Sequence, residues 1–326
     1  MNYIKITRPL NLLMIAYTMI LFRICIVAAS PYKIFYIEPI VSNIAFTFLV
    51  LATVFIAAGG YVINDIFDIE IDGINRPQKT IIGEHISETA AYNYYKILCV
   101  LGVLCTFVVA LLTYNFRLSF LPLIIMVVLN FYAHTFKKQF IVGNFMIALS
   151  TSFVILMPML FEIGIKDGDN DMQLQVKSGI AIAGIVYGLF AFLSTFLREL
   201  VKDMEDVTGD EKSNCRTIPI VLGYKGAKII AVVISVLLLI QLAIFTWFFP
   251  SMQIKYVAYI IGFGLMLPLV IIVALLLLAK TVQQYYLVSN MIKIFMLLGI
   301  SSMWYFKSGI GPYIFMQFAN FLEKLF

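Results

Sequence analysis

The sequence predicts an all-α, polytopic membrane protein. Of its 326 residues, 62% are apolar and only 13% are charged, whereas a soluble domain carries about a quarter charged residues. Apolar runs of about 20 residues, the length that a helix needs to cross a bilayer, recur along the whole chain. The basic residues are scattered over the loops instead of gathering on one face, which excludes nucleic acid as a partner and leaves membrane lipids.

Nine apolar runs are predicted to be transmembrane helices. Their approximate ranges are 10–30, 40–62, 93–113, 118–135, 141–161, 178–197, 227–249, 256–279 and 288–306. We interpret the first run as a retained span instead of a cleaved signal peptide, because Arg23 interrupts it. Arg23 itself is expected to snorkel to the outer interface. Residues 311–326 are too few to span and are expected to lie at the interface.

Lys and Arg are more frequent in the loops that lie inside if the N-terminus is cytoplasmic. The positive-inside rule therefore predicts a multi-pass protein of the cell membrane with its N-terminus inside and its C-terminus outside. Lys293 falls inside the last predicted span, near its cytoplasmic end, and is interpreted as an ordinary flanking charge.

Two groups of aspartates with the same spacing are the main functional signal. Asp65, Asp68 and Asp72 form a first ladder, which follows an apolar span on the predicted cytoplasmic side. A second ladder follows another apolar span on the same side. The second ladder consists of Asp203, Asp206 and Asp210. Steps of i, i+3 and i+7 keep helical side chains within roughly 60° of one direction. The recurrence also suggests a parallel internal repeat, with motifs 64–72 and 203–210, inside a single domain 1–326.

Clustered carboxylates repel one another unless cations compensate them. Mg²⁺ prefers carboxylate and phosphate oxygens and commonly bridges to a substrate phosphate. Nearby basic residues complete what we interpret as a diphosphate clamp. These residues are Arg76, Lys137, Arg198, Lys202 and Lys212. An allylic isoprenyl diphosphate fits such a clamp, because its tail can lie between helices and aromatic faces can stabilise its carbocation.

Other interpretations compete with the clamp. A solvated acidic loop would not explain two identical spacings at one membrane face. A cation transporter would carry its carboxylates near mid-span, whereas the two ladders lie at span ends. Four cysteines and two histidines show no metal-binding spacing.

Four stretches resemble the UbiA superfamily of intramembrane prenyltransferases. "NDIFDIEID", residues 64–72, resembles its NDxxDxxxD motif, and "DMEDVTGD", residues 203–210, is similar to its second aspartate motif. "YAHTFKK", residues 132–138, is similar to the Tyr…Lys loop, although Ala133 and His134 depart from the family pattern. "RPLNLLM", residues 8–14, resembles the opening of the family.

The resemblance implies nine transmembrane helices around a central cavity, with a cytoplasmic cap and two Mg²⁺ ions between the aspartate motifs. It places Asn64 in the metal site with the two ladders, and Tyr132 near the scissile bond. The diphosphate would lie against Arg76, Lys137 and Lys202, and Asn11 belongs to the substrate-binding set. Among these residues Asp65, Asp68, Asp203, Asp206 and Tyr132 are the expected catalytic groups.

The acceptor follows from the resemblance alone. The stretches "INRPQKTIIGEHIS" and "RELVKDMEDVTGDEKSNCRTIPIVLG" are most similar to the geranylgeranylglyceryl-phosphate geranylgeranyltransferase branch. That branch implies a geranylgeranyl donor and the hydroxyl of a prenylglyceryl phosphate as acceptor, in ether-lipid synthesis. The alternative is an aromatic prenyltransferase of quinone biosynthesis, with 4-hydroxybenzoate or dihydroxynaphthoate as acceptor.

Overall fold

The computed structural model describes residues 2–28, 39–75, 80–164, 170–248 and 255–307, and these residues form helices and short connections. Eleven α-helices are numbered in chain order. They are α1 (Asn2–Ile6), α2 (Pro9–Leu21), α3 (Asn43–Phe67), α4 (Ile69–Asn75), α5 (Glu88–Thr113), α6 (Phe116–His134), α7 (Val142–Glu162), α8 (Asp171–Lys212), α9 (Ile218–Phe248), α10 (Lys255–Leu278) and α11 (Val282–Ser301). A π-helical turn, Phe22–Val27, extends α2, and 3₁₀ turns lie at Phe136–Lys138 and Ser302–Phe306.

The predicted membrane architecture is confirmed, with a difference in the number of spans. Eight helices of the described chain are long and apolar enough to cross a membrane. The helix that matches the predicted run 256–279 has a shorter apolar segment, Gly262–Leu278. The count of nine therefore stays a prediction, and the interfacial segment 311–326 lies outside the described residues.

The helices surround a central cavity. Residues from α2, α3, α6, α7, α8 and α11 line it. The largest hydrophobic core, formed chiefly by α8, α9, α10 and α11, packs on one side of this ring. A smaller core of α3, α5 and the segment 81–86 before α5 packs on another side. Apolar contacts on these two sides thus stabilise the helices that line the cavity.

The interpretation of Arg23 was wrong. Arg23 is 8% exposed, and its guanidinium forms an ion pair with the buried Glu162 of α7. It also donates to the carbonyl of Val41 at 2.5 Å and lies 5.3 Å from the ring centroid of Phe46. A buried charge is tolerated when it is paired and hydrogen-bonded, so Arg23 joins α2, α3 and α7 instead of reaching the interface.

A cap covers one end of the cavity. It is built from α1, α4, the segment 80–82 and the 3₁₀ turn Phe136–Lys138. Ser87 caps the helix that follows the loop, because its side chain accepts a hydrogen bond from the backbone N–H of Ala90 at 3.3 Å. The cap lies beside the aspartate motifs, where the resemblance places it, and its cytoplasmic orientation stays a prediction.

Candidate active site

Two adjoining cavities form the site. A polar cavity of about 300 Å³ lies under the cap, and an apolar cavity of about 220 Å³ continues between the helices. Seven residues line both cavities, and we call this shared ring the neck. It contains the four cations Arg8, Arg198, Lys202 and Lys293, together with Asn11, Tyr132 and Glu199. A molecule with a charged head and a hydrocarbon tail can therefore lie across the neck.

The first ladder does not lie on one continuous helix. Asp65 is in the last turns of α3, Asp68 is at the break with φ −97° and ψ 1°, and Asp72 is in α4. Two backbone hydrogen bonds bridge the break, from Asp68 N–H to the carbonyl of Asn64 at 3.0 Å and from Asp72 N–H to the carbonyl of Asp68 at 2.7 Å. The side chains therefore keep helical spacing, and all three aspartates line the polar cavity.

The carboxylates of Asp65 and Asp68 each bind a side chain from elsewhere in the chain. Arg8 donates to Asp65 Oδ1 at 2.6 Å. Lys137 forms an ion pair with Asp68, which also accepts a hydrogen bond from the Asn64 amide at 2.7 Å. Asn64 is buried and lines the apolar cavity, so it faces the Asp68 carboxylate from the hydrocarbon side.

The second ladder lies on one continuous helix, near the end of the 42-residue α8. Its three aspartates line the same polar cavity as the first ladder. Asp203 accepts a hydrogen bond from the amide of Asn144 at 2.7 Å. Lys212 is exposed at the end of α8 and does not line either cavity, while Arg76 lies outside the described residues.

Lys137 lies between the two ladders. Burial disfavours its charged form, but Asp68 and, further away, Asp72 and Asp210 raise its pKa above the ordinary value. Burial and the charge of Asp68 likewise raise the pKa of Asp72, although Lys137 opposes this. The ammonium group of Lys137 is therefore charged at neutral pH and acts on carboxylates from both ladders.

Asn75 holds the two ladders together. Its amide donates to the carbonyl of Asp206 at 3.1 Å, and its oxygen accepts from the N–H of Gly209 at 2.8 Å. A Cβ at Gly209 would overlap the Asn75 amide, so only glycine leaves room for this contact. The last residue of α4 is thus fixed to α8 directly beside the second ladder.

Two buried polar atoms in or near the neck lack a hydrogen bond. Within the part of the chain that the structure describes, the Nε of Arg198 and the Oγ of Thr195 make none, although another nitrogen of Arg198 pairs with Glu199 at 2.5 Å. Buried donors without an acceptor are costly. The neck is therefore suited to a ligand that supplies acceptor oxygens there.

The predictions from sequence missed several residues of the site. Asn144 and Glu199 follow no recognisable spacing, and Asn75 lies in a stretch that indicated only the branch of the family. Arg8 had a signal, since it is a charged residue directly before an apolar run. Lys293 also had a signal in the sequence, because it lies inside a predicted span. Its interpretation as a flanking charge was wrong, since α11 begins at Val282 and the lysine lines both cavities.

The chemistry of the polar cavity fits a divalent cation that arrives with an anionic substrate. Its described lining contains the six ladder carboxylates and Glu199, and six cations. These cations are Lys5, Arg8, Lys137, Arg198, Lys202 and Lys293. Carboxylates are thus in slight excess, and they would repel a diphosphate unless another cation is present. Within the described chain, no three Asp, Glu, His or Cys side chains lie close enough together to hold a metal ion by themselves, so the ladders line the polar cavity without forming a closed metal site.

Comparisons with known proteins agree with this geometry. Residues 13–306 match the family described as UbiA prenyltransferase. The digeranylgeranylglyceryl phosphate synthases of Methanosphaera stadtmanae and Sulfolobus acidocaldarius are 32% and 31% identical, over 72% and 74% of this chain and 74% and 78% of theirs.

Solved structures show the same fold. A structure described as digeranylgeranylglyceryl phosphate synthase in membranes has a TM-score of 0.63 and 25% identity, covering 95% of this chain and 97% of that one. A UbiA homologue from Archaeoglobus fulgidus, bound to GPP and Mg²⁺, has a TM-score of 0.57 and 15% identity, covering 93% and 99%.

Proposed function

This chain belongs to the UbiA prenyltransferase family, and from that premise we propose that it transfers a geranylgeranyl group from its diphosphate to the hydroxyl of a prenylglyceryl phosphate, in ether-lipid synthesis. Support for this acceptor comes from the relatives that share about a third of their residues with the chain over most of its length. One structural observation carries the proposal: a carboxylate-lined polar cavity opens through a cationic neck into an apolar cavity.

The donor lies across the neck. Its diphosphate occupies the polar cavity, where Lys137 and Lys202 bind it, with Arg198 as a further substrate-binding cation. Asn11 belongs to the same set at the neck. Its prenyl tail lies in the apolar cavity between the helices, where burial removes hydrocarbon from water. The bond that breaks, between the allylic carbon and the diphosphate oxygen, is then at the neck beside Tyr132.

Mg²⁺ fits the carboxylates of the polar cavity. The residues that would hold it are Asn64 and the two ladders, Asp65, Asp68, Asp72, Asp203, Asp206 and Asp210. Bound there with the diphosphate, the ion supplies positive charge that makes diphosphate a better leaving group. Support for its use comes from the A. fulgidus homologue, whose structure contains GPP and Mg²⁺; we propose two ions, one for each ladder.

The chain's own residues direct the reaction by position and charge. Lys137 is held by Asp68 and turns its charge toward both ladders, where diphosphate develops negative charge as the C–O bond breaks. The aromatic face of Tyr132 stabilises the allylic cation. The apolar cavity keeps water from the cation, so that the oxygen of the acceptor hydroxyl attacks the allylic carbon and forms the ether bond. The hydroxyl proton passes to the departing diphosphate. Asp65 is oriented by Arg8, and Asp203 by Asn144.

The membrane orientation follows from the basic residues. We propose that the cap, both ladders and the N-terminus face the cytoplasm, because Lys and Arg are more frequent on that side. Diphosphate and glyceryl phosphate head groups would then enter from the aqueous side of the cap, while their tails remain within the bilayer.

The test is a product assay. Purified protein in lipid is incubated with labelled geranylgeranyl diphosphate, Mg²⁺ and either prenylglyceryl phosphate, 4-hydroxybenzoate or dihydroxynaphthoate, and the products are identified by mass. We expect a new ether with prenylglyceryl phosphate only. Prenylation of an aromatic acceptor in its place would refute the ether-lipid assignment while keeping the prenyl transfer.

A further inference from the structure

Lys293 is a cation of the neck that has no role in the proposed prenyl transfer. It is the twelfth residue of α11, so its Cα lies roughly 16 Å from the start of the helix at 1.5 Å per residue. A lysine at that depth of a membrane helix is costly and points to a functional site. The side chain lines both cavities at the neck.

The charges around Lys293 are mostly positive. Arg198 and Lys202 line the neck together with Lys293, and Glu199, the carboxylate of the neck, is already paired with Arg198 at 2.5 Å. Neither Lys293 nor Lys202 forms an ion pair with another described residue. Three cations that share one carboxylate leave an excess of positive charge at this side of the neck.

One donor there also lacks an acceptor. The Nε of Arg198 is buried and makes no hydrogen bond within the described chain. By contrast, Arg8 and Lys137, the cations on the ladder side, are paired with Asp65 and Asp68. The positive charge without a partner thus lies at the neck and comes from α8 and α11, two helices that pack against each other.

We propose that Lys293, together with Arg198, binds the phosphate of the acceptor, so that Arg198 belongs to an acceptor-phosphate subsite in the neck and the diphosphate clamp is left with Lys137 and Lys202. This inference rests on the proposed function. In a prenylglyceryl phosphate the reacting hydroxyl and the phosphate ester are on adjacent carbons. When the hydroxyl reaches the allylic carbon at the neck, the phosphate has to lie at the neck as well, and a cation there compensates its charge.

The test compares two acceptors and three variants. The acceptors are prenylglyceryl phosphate and the same prenylglycerol without phosphate. The variants are Lys293→Gln, Lys293→Arg and the control Lys280→Gln, which removes the same charge at an exposed position before α11. For each protein, kcat/KM is measured for both acceptors, and KM is measured for the donor.

A charge-assisted hydrogen bond corresponds to about a tenfold to hundredfold change in affinity. We expect Lys293→Gln to lose that factor in kcat/KM for the phosphorylated acceptor, with less than about threefold change for prenylglycerol and for the donor KM. Lys293→Arg should retain most of the preference for phosphate, and Lys280→Gln all of it.

Two results would overturn the subsite. An equal loss with both acceptors would make Lys293 a structural residue, and a larger rise in donor KM would assign it to the diphosphate. Thermal unfolding of each variant shows whether a loss of activity comes from misfolding. If Lys293→Gln does not fold, Lys293→Arg, which keeps the positive charge, is compared with the wild-type protein in its preference for the phosphorylated acceptor. Failure of the wild-type protein to use prenylglyceryl phosphate is a separate result, which would refute the proposed function and the subsite with it.

Discussion

Asn75→Ala tests whether the contact between α4 and α8 assembles the site. The substitution removes two hydrogen bonds, to the Asp206 carbonyl at 3.1 Å and from the Gly209 N–H at 2.8 Å. Both backbone groups belong to α8, within the stretch that carries the second ladder. Without them, α4 and the first ladder's Asp72 are less firmly held against α8.

The size of the effect follows from those two bonds. A hydrogen bond of this kind contributes about 0.5 to 1.5 kcal/mol net, so the pair contributes about 1 to 3 kcal/mol to the docked position of α4. At 1.4 kcal/mol per tenfold, the ratio of docked to undocked α4 falls roughly 5-fold to 150-fold. Because donor and Mg²⁺ bind the docked arrangement, high concentrations of both restore it.

The assay is initial rate against donor concentration, at low and at saturating Mg²⁺. We expect donor KM to rise with kcat nearly unchanged at saturation, and the rise in KM to shrink as Mg²⁺ increases. Ile74→Ala is the matched control, since Ile74 is on the same helix and is 39% exposed. A fall in kcat at unchanged KM, or an Asn75→Ala protein identical to the control, would refute the reasoning.

Further substitutions test other parts of the site. Asp68→Ala or Asp203→Ala should abolish turnover without changing the elution of the protein on size exclusion; wild-type-like rates in either variant would contradict the metal clamp. EDTA should stop the wild-type reaction and added Mg²⁺ restore it, and activity that persists in chelator would exclude Mg²⁺ dependence. Lys137→Ala should raise donor KM more than acceptor KM, and the opposite ranking would move this lysine to the acceptor. Gly143→Ala would bring a Cβ to 3.1 Å from the Cα of Lys137 and should lower kcat/KM by about fivefold or more by displacing that turn, since overpacking costs about 1 to 3 kcal/mol and 1.4 kcal/mol is tenfold. Gly264→Ala, where a Cβ meets open space, is the control, and equal rates in the two glycine variants would show that the turn tolerates the methyl group.

The sequence was sufficient for the membrane architecture and for the chemistry of the ladders. Apolar runs of spanning length predict helices because the bilayer requires that length, and eight of them are confirmed as long and apolar enough. The i, i+3, i+7 spacing predicts a shared direction because helix geometry is local. Both ladders indeed line one polar cavity, even though α3 breaks at Asp68.

Only the tertiary structure decided which residues meet. Lys137 contacts Asp68 across 69 positions, and Asn75 contacts Gly209 across 134. Periodicity gives the face of a helix but not the helix that packs against it, so these pairs have no signature within one segment. The same reason explains Lys293 and Arg23. Each is one charge in an apolar run, and only the packing of neighbouring helices places the first at the neck and pairs the second with Glu162.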